Sequence, residues 1–337
     1  MYQKIRNRLT LKDIANKLQV TPATVSKALR ESSDISLEMR EKVKSVAKDM
    51  GYRPNLLARS LINQKSKLLG ILIPDLRISF FSEAVRGAYE EANRKGYETI
   101  LLIHDENNKI ERKKLEFLAD IHTDGILLNT TGNKNNFALY QKLAEEGIKI
   151  VCWDRKLERS GFHSVTIDDR KASYQLTSKM IKEGRKNILF LGPNTGIPVA
   201  KYRFEGYKLA LKEHGISFNP KLVVKTFRDY DKSYKKILSV LDSKIKFDGV
   251  VSVGGLITYG AGRAILDRKL LIPGDVMLGE FGDNNIVARL GVPFLTVYQH
   301  PYTLGKSAVD LLIKIIEDKE KNDKYDSIII DSEILER

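Results

Sequence analysis

The stretch Pro22-Ala-Thr-Val-Ser-Lys27 presents Pro22, Ala23, Thr24, Ser26 and Lys27 on one side of a helix once Val25 is turned inward. Their chemistry is recognition. An ammonium at Lys27 donates to guanine O6 and N7, while Pro22 and Ala23 offer apolar contact suited to a thymine methyl. The short hydroxyls of Thr24 and Ser26, with Thr10 and Thr21 beside them, suit phosphate oxygens, contacts that position a protein without reading sequence. Groups for covalent chemistry are sparse. Cys152 lies in an apolar run beside Trp153 with no histidine near it in sequence. Histidines 104, 122, 163, 214 and 300 have no metal-ligand spacing, and no GxSxG or P-loop pattern occurs. The glycines of RLGVPF and VSVGGL are too sparse for a phosphate-binding loop. No catalytic residue, metal or cofactor is expected.

Such a face needs a helix held against a partner. In LKDIANKLQVTPATVSKAL, Leu11, Ile14, Ala15 and Leu18 recur at helical spacing, with Thr10 placed to cap and Asp13 three residues on. Gln19 and Val20 break the pattern. Thr21 then caps a second helix whose first position is Pro22, where a missing N–H costs nothing. Ala15 permits close approach, and Val20, Val25 and Leu29 share a small core. Two short helices on a tight turn, the second presented outward, form the geometry that enters a DNA major groove. A third helix opens at Ser36, with Met39, Val43, Val46, Ala47 and Met50 as its apolar stripe, and Gly51 and Arg53-Pro54 stop it. A short helical pattern, Asn55 to Ile62, precedes the polar linker Asn63–Lys67. It is too short to be stable alone and is expected to order on DNA or a partner subunit.

Charge is distributed accordingly. The 337 residues carry a formal +14, of which +9 falls in residues 1–67. A basic arm on a nearly balanced body predicts a DNA-binding headpiece attached to a domain with another task. One cysteine excludes an intramolecular disulfide. The first residues lack the apolar core of a signal peptide, and no run approaches a membrane span, so a cytoplasmic protein without membrane contact is expected.

From Leu68 the pattern becomes strand–helix repeats. Apolar runs at Leu68–Ile73, Thr99–Ile103, Gly125–Leu128 and Lys149–Trp153 are followed by a second series at Val165–Ile167, Asn187–Gly192, Gly249–Val253, Val276–Phe281 and Leu295–Tyr298. Amphipathic stretches lie between them, among them Ser82–Lys95, Lys171–Glu183, Arg203–His214 and Gly260–Asp267. Continuous apolar strands alternating with helices predict parallel sheets covered on both faces. Two series predict two lobes, with ligands bound at the carboxyl ends of the strands.

The chain resembles the LacI/GalR family of transcriptional regulators. The headpiece carries that signature through Leu11, Asp13, Ile14, Ala15, Val20, Thr21, Val25, Ser26, Ala28 and Leu29, departing from it at Leu18, where a small residue is usual. GYRPN and ARSL match the hinge. The resemblance implies an α/β protein: an all-α helix-turn-helix headpiece (1–54), a hinge helix and linker (55–67), and a two-lobed periplasmic-binding-protein-like effector domain with parallel sheets (68–337). The lobes are expected near 68–159 with 295–321, and near 160–294 with 322–337, the chain crossing between them three times. It also implies base contact by Pro22, Ala23 and Lys27, phosphate contact by Asn55, a minor-groove wedge at Leu61, and supporting charge at Arg59.

For the cleft it implies effector contact by Phe80 and Phe81, by Asp154, by Arg203 in RFEGY, by Tyr230 in RDYD, and by Asp283. Two departures stand out. Gly254 and Gly255 replace a usual Asn-Asp pair, and Gly282 replaces a usual Asp, with Asp283 one place later. These glycines leave three readings open: room for a larger or anionic ligand, control by a partner protein, or loops with no ligand role. The implied whole is a homodimeric regulator, most often a repressor, reading palindromic double-stranded DNA and controlled by a small-molecule effector. SIIIDSEILER contains no heptad pattern for tetramer formation. A solute-binding or enzymatic α/β protein with an incidental basic N-terminus is the alternative from another class.

Overall fold

The computed structural model describes residues 9–52, 65–157, 161–193, 198–226, 229–243, 245–282, 285–318 and 325–337. It divides into two compact units, Met1–Ser66 and Lys67–Arg337.

The first unit holds helices α1 (Leu11–Leu18), α2 (Pro22–Leu29) and α3 (Leu37–Asp49). All three begin on a hydroxyl. Thr10 forms a reciprocal capping box with Asp13, Thr21 Oγ1 accepts from the Thr24 amide at 3.1 Å, and Ser36 Oγ from the Met39 amide at 3.3 Å. Gln19, with φ of 54°, closes α1 in the left-handed conformation, and the Val20 amide returns to the Ala15 carbonyl at 3.0 Å. Ile14, Ala15, Val25, Ala28, Val43 and Ala47 are buried together, with Leu11, Leu18, Val20 and Leu29 packed around them. Leu18, the departure noted above, is absorbed at the margin of this core. Each buried aliphatic side chain contributes roughly 1.5–3 kcal/mol.

The second unit contains two six-stranded sheets. The first consists of β1 (Leu68–Ile73), β2 (Glu98–Ile103), β3 (Gly125–Leu128), β4 (Lys149–Trp153), β5 (His163–Ile167) and β11 (Ser327–Ile330). Its strands are all parallel, in the order β11-β5-β4-β3-β1-β2. The other sheet holds β6 (Ile188–Pro193), β7 (Val223–Thr226), β8 (Gly249–Ser252), β9 (Met277–Phe281), β10 (Leu295–Tyr298) and β12 (Glu333–Glu336). It runs β12-β10-β9-β8-β6-β7, with β12 alone antiparallel to its neighbour. Both sheets therefore use one doubly wound order, in which the chain starts near the middle and reverses direction across the sheet.

Three strands fall in different lobes from those expected. β5 and β11 belong to the first sheet, and β10 to the second. An apolar run reports burial and is silent on which sheet buries it, so periodicity cannot place a strand beside a crossover. The chain nevertheless passes between lobes three times: between Ile167 and Asp169, at Gln299–His300, and between Ile330 and Glu333. β7, β11 and β12 were not anticipated: they lack the continuous burial of the short strands β3 and β8, and every position of β11 and β12 is half-buried or exposed.

Helix Pro301–Glu317 returns to the first lobe and lies on helix Ser79–Arg94. Glycines bring the two backbones together. A Cβ on Gly305 would stand 1.8 Å from the Ala84 carbonyl oxygen, and one on Gly87 2.1 Å from that of Tyr302. Among the described residues no helix is long and apolar enough to cross a membrane.

Candidate DNA-reading face and interlobe cleft

Residues of α2 divide as their spacing requires. Val25 and Ala28 are buried, Pro22, Ala23 and Lys27 are exposed, and Thr24 and Ser26 are half-buried. Two of the expected phosphate-contacting hydroxyls already have structural work: Thr10 Oγ1 donates to Asp13 at 2.7 Å, and Thr21 Oγ1 lies 2.9 Å from Thr24 Oγ1. Lys27 is also engaged. Its Nζ sits 2.5 Å from Asp34 Oδ2, with both side chains about half exposed. Lys27, followed by the Ser32 hydroxyl, holds the Asp34 carboxyl down at about 2. Asp34 is a neighbour that the helix pattern gives no reason to select, because it lies in the loop after α2. The hinge residues Asn55, Arg59 and Leu61 lie outside the described residues, as does Asp283.

In the other unit, segments that follow strands of both sheets converge on one cavity. Its empty space is about 590 Å³, including solvent at its mouth. Ile78 to Phe81 line it from the loop and helix after β1, and Asp154 from the residue after β4. The second lobe supplies Val199 and Arg203 after β6, Val253 to Ile257 after β8, Phe281 and Gly282 at the end of β9, and Gln299 after β10. An adjoining cavity shares Ser79 and Gly282 and adds Glu83, Tyr298 and Tyr302.

Each polar group in the cleft is held by named partners. Asp154 has φ of 61°, in the left-handed region that aspartate tolerates better than most residues. Its Oδ2 accepts from Asn129 Nδ2 at 2.9 Å. Next to it Arg155 is fully buried, in a two-pronged pair with Glu106 at 2.6 and 2.8 Å. Across the cleft Arg203 Nε donates to Asp169 Oδ1 at 2.7 Å, Nη1 to the Val253 carbonyl at 2.9 Å, and Nη2 to Gln299 Oε1 at 3.2 Å. Its guanidinium carbon lies 4.0 Å from the centre of the Phe281 ring. Burial raises the Asp169 carboxyl to about 6, against the opposing pull of Arg203. Asp169 begins the helix after the first crossover and Gln299 lies in the second. One arginine thus ties two of the three connections between lobes.

The apolar wall has its own geometry. Phe80 and Phe81 are buried, their rings 5.1 Å apart and nearly perpendicular, and Phe81 meets Trp153 edge-on at 6.1 Å. Phe80, Phe81, Asp154 and Arg203 are therefore brought together as expected. Tyr230 is not brought to that cavity. It opens helix Tyr230–Leu241 and stacks on Tyr259 at 5.4 Å and Tyr234 at 6.1 Å, away from the cavity lining. The family resemblance alone nominates it, and here the nearby tyrosines are its packing partners. Asn129, Asp169 and Gln299 were missed. All are polar residues just beyond an apolar strand, a position that would have flagged them.

Residues 10–55 match the bacterial regulatory proteins of the lacI family, and residues 66–337 match the periplasmic binding proteins and sugar binding domain of the LacI family. The chain is 32% identical to the HTH-type transcriptional regulator RegA of Clostridium saccharobutylicum, over 97% of this chain and 98% of that one. It is 30% identical to the ribose operon repressor of Halalkalibacterium halodurans, over 92% and 91% of the two. The lac repressor dimer bound to operator and the anti-inducer ONPF has the same fold, with a TM-score of 0.82 at 18% identity over 98% of each chain. So does the transcriptional regulator CelR–cellobiose complex, with a TM-score of 0.73 at 23% identity over 97% and 98%.

Proposed function

The chain belongs to the lacI family of bacterial regulatory proteins, and on that premise we propose a dimeric repressor that binds a palindromic operator and is controlled by a small molecule between its lobes. The relatives named above are transcriptional regulators, and this chain is read as a regulator with no catalytic activity. Lys27 is the base-reading hydrogen-bond donor, with Pro22 and Ala23 as apolar readers. Thr10, Thr21, Thr24, Ser26 and Asn55 contact phosphate, Leu61 is the minor-groove wedge, and Arg59 adds charge. One headpiece reads half a palindrome, so the functional unit is a dimer.

The observation that carries the control step is the origin of the cavity walls. Phe80 and Asp154 come from the first lobe, and Arg203 and Gln299 from the second lobe and its crossover. A ligand touching both sides has different contacts in different lobe orientations, which is the condition for shifting an equilibrium between them. Operator titration against a metabolite panel tests both halves of the proposal. Palindromic DNA is expected to bind at moderate salt, with affinity falling steeply as salt rises, and one metabolite is expected to change that affinity. Absence of palindrome binding defeats the DNA reading. Operator binding that no metabolite alters defeats the small-molecule reading and leaves control by a partner protein.

A further inference from the structure

We propose that the cleft selects an amphiphilic ligand that is not an anion: an apolar ring or branched body, with a compact head that donates hydrogen bonds to Asp154. The proposal rests on the cleft being the effector site. Its first support is the lining. Phe80, Phe81, Leu256 and Ile257 present hydrocarbon from both lobes, whereas the polar side chains among the described lining residues are Ser79, Asp154, Arg203 and Gln299. A ligand with hydroxyls on every side would leave several of them against hydrocarbon, desolvated and unpaired.

Charge supplies the second support. Arg203 is the one cation among the described lining residues, and it already donates through all three nitrogens to Asp169, Val253 and Gln299. Arg155, beside Asp154, is committed to Glu106 and to the Thr130 carbonyl, and its Nε lies 3.7 Å from Asp154 Oδ2. A phosphate or carboxylate entering here would face the Asp154 carboxylate with no unengaged cation among the described lining residues. Asp154 favours a donor, either a hydroxyl or an amine.

Gly254 is the third support. Its φ of 174° is ordinary extended backbone, and a Cβ built on it meets nothing within 4 Å. Neither backbone nor packing calls for glycine, so its bareness leaves cleft volume and a smooth wall. Gly282 differs. Its φ of 147° lies where side chains are strained, so glycine there is explained by conformation.

Gly254 also supplies the experiment. Gly254→Leu projects an isobutyl group into open cleft and is expected to leave melting temperature unchanged, with Gly254→Ser as the milder companion. The full-length protein is titrated calorimetrically with glucose, phenyl β-glucoside and glucose 6-phosphate. The phenyl glucoside is expected to bind roughly tenfold or more tighter than glucose, from burial of one ring. The phosphate ester is expected to give no heat, and Gly254→Leu to abolish binding. Tighter binding of glucose or its phosphate, lost in Gly254→Leu, overturns the ligand class and leaves the cleft as the site. Binding that survives Gly254→Leu overturns the site itself. No binding by any of the three at 10 mM overturns the ligand class.

Discussion

The DNA-reading face and the cleft solve recognition in opposite ways. On α2 the recognition groups project outward from a helix whose own caps and three-residue contacts hold it, and all lie within six consecutive positions. In the cleft Asp154, Arg203 and Gln299 are buried, drawn from segments up to 145 positions apart, and each is hydrogen-bonded within the protein before any ligand arrives. A surface reader can be changed without unfolding its scaffold. A buried reader is part of the scaffold, so binding and stability cannot be separated at Arg203 as they can at Lys27.

The sharpest way to break that contrast is Arg203→Ala. Removing one partner of a buried pair leaves Asp169 buried without its cation, and it also unties Val253 and Gln299. A loss of about 3–5 kcal/mol is expected, read as a lower denaturant midpoint for the 67–337 unit. A loss below about 1 kcal/mol would show that the node is not structural, and the contrast would fail. Lys27→Ala should do the reverse. Discrimination at one operator base is expected to fall by about 1–3 kcal/mol, with no change in melting temperature, because its ion pair with Asp34 is half exposed and worth little. Equal loss of specific and nonspecific affinity would make Lys27 a phosphate contact.

The same contrast governs how much could be read from the chain itself. Thr10, Asp13, Thr21 and Pro22 act on residues three or four positions away, so their types and spacing already state the geometry. The cleft needed the sheet order. Phe80, Phe81, Asp154 and Arg203 each lie in a segment that follows a strand, and the family resemblance nominates them one at a time. That Arg203 meets Gln299, 96 positions later, depends on which lobe β10 joins, and its apolar sequence is compatible with either. The surroundings of Tyr230 depend on the same information: its neighbours are Tyr234, one turn on, and Tyr259, from a helix that sequence spacing does not place beside it.

The finest distinction lies in proton linkage, where Asp169 and Asp34 should move oppositely. Burial raises the folded Asp169 carboxyl from its ordinary 3.8 to about 6. The folded protein therefore holds a proton that the unfolded chain has released between those values. Stability from this group is fully present below about pH 3.8, declines as pH rises toward 6, and is lost above it. Asp34, depressed to about 2 by Lys27, has the opposite sign: its contribution is present above 3.8 and is lost as pH falls toward 2. Being exposed, it contributes far less. Asparagine at 169 cannot titrate, so the melting temperature of wild type relative to Asp169→Asn is expected to fall between pH 4.5 and 6.5, then level off. Asp34→Asn should give a flat difference across that window, because its carboxylate stays charged throughout. A flat difference for Asp169→Asn would mean that Arg203 cancels the burial penalty, making the cleft pair electrostatically no different from the surface pair it was contrasted with.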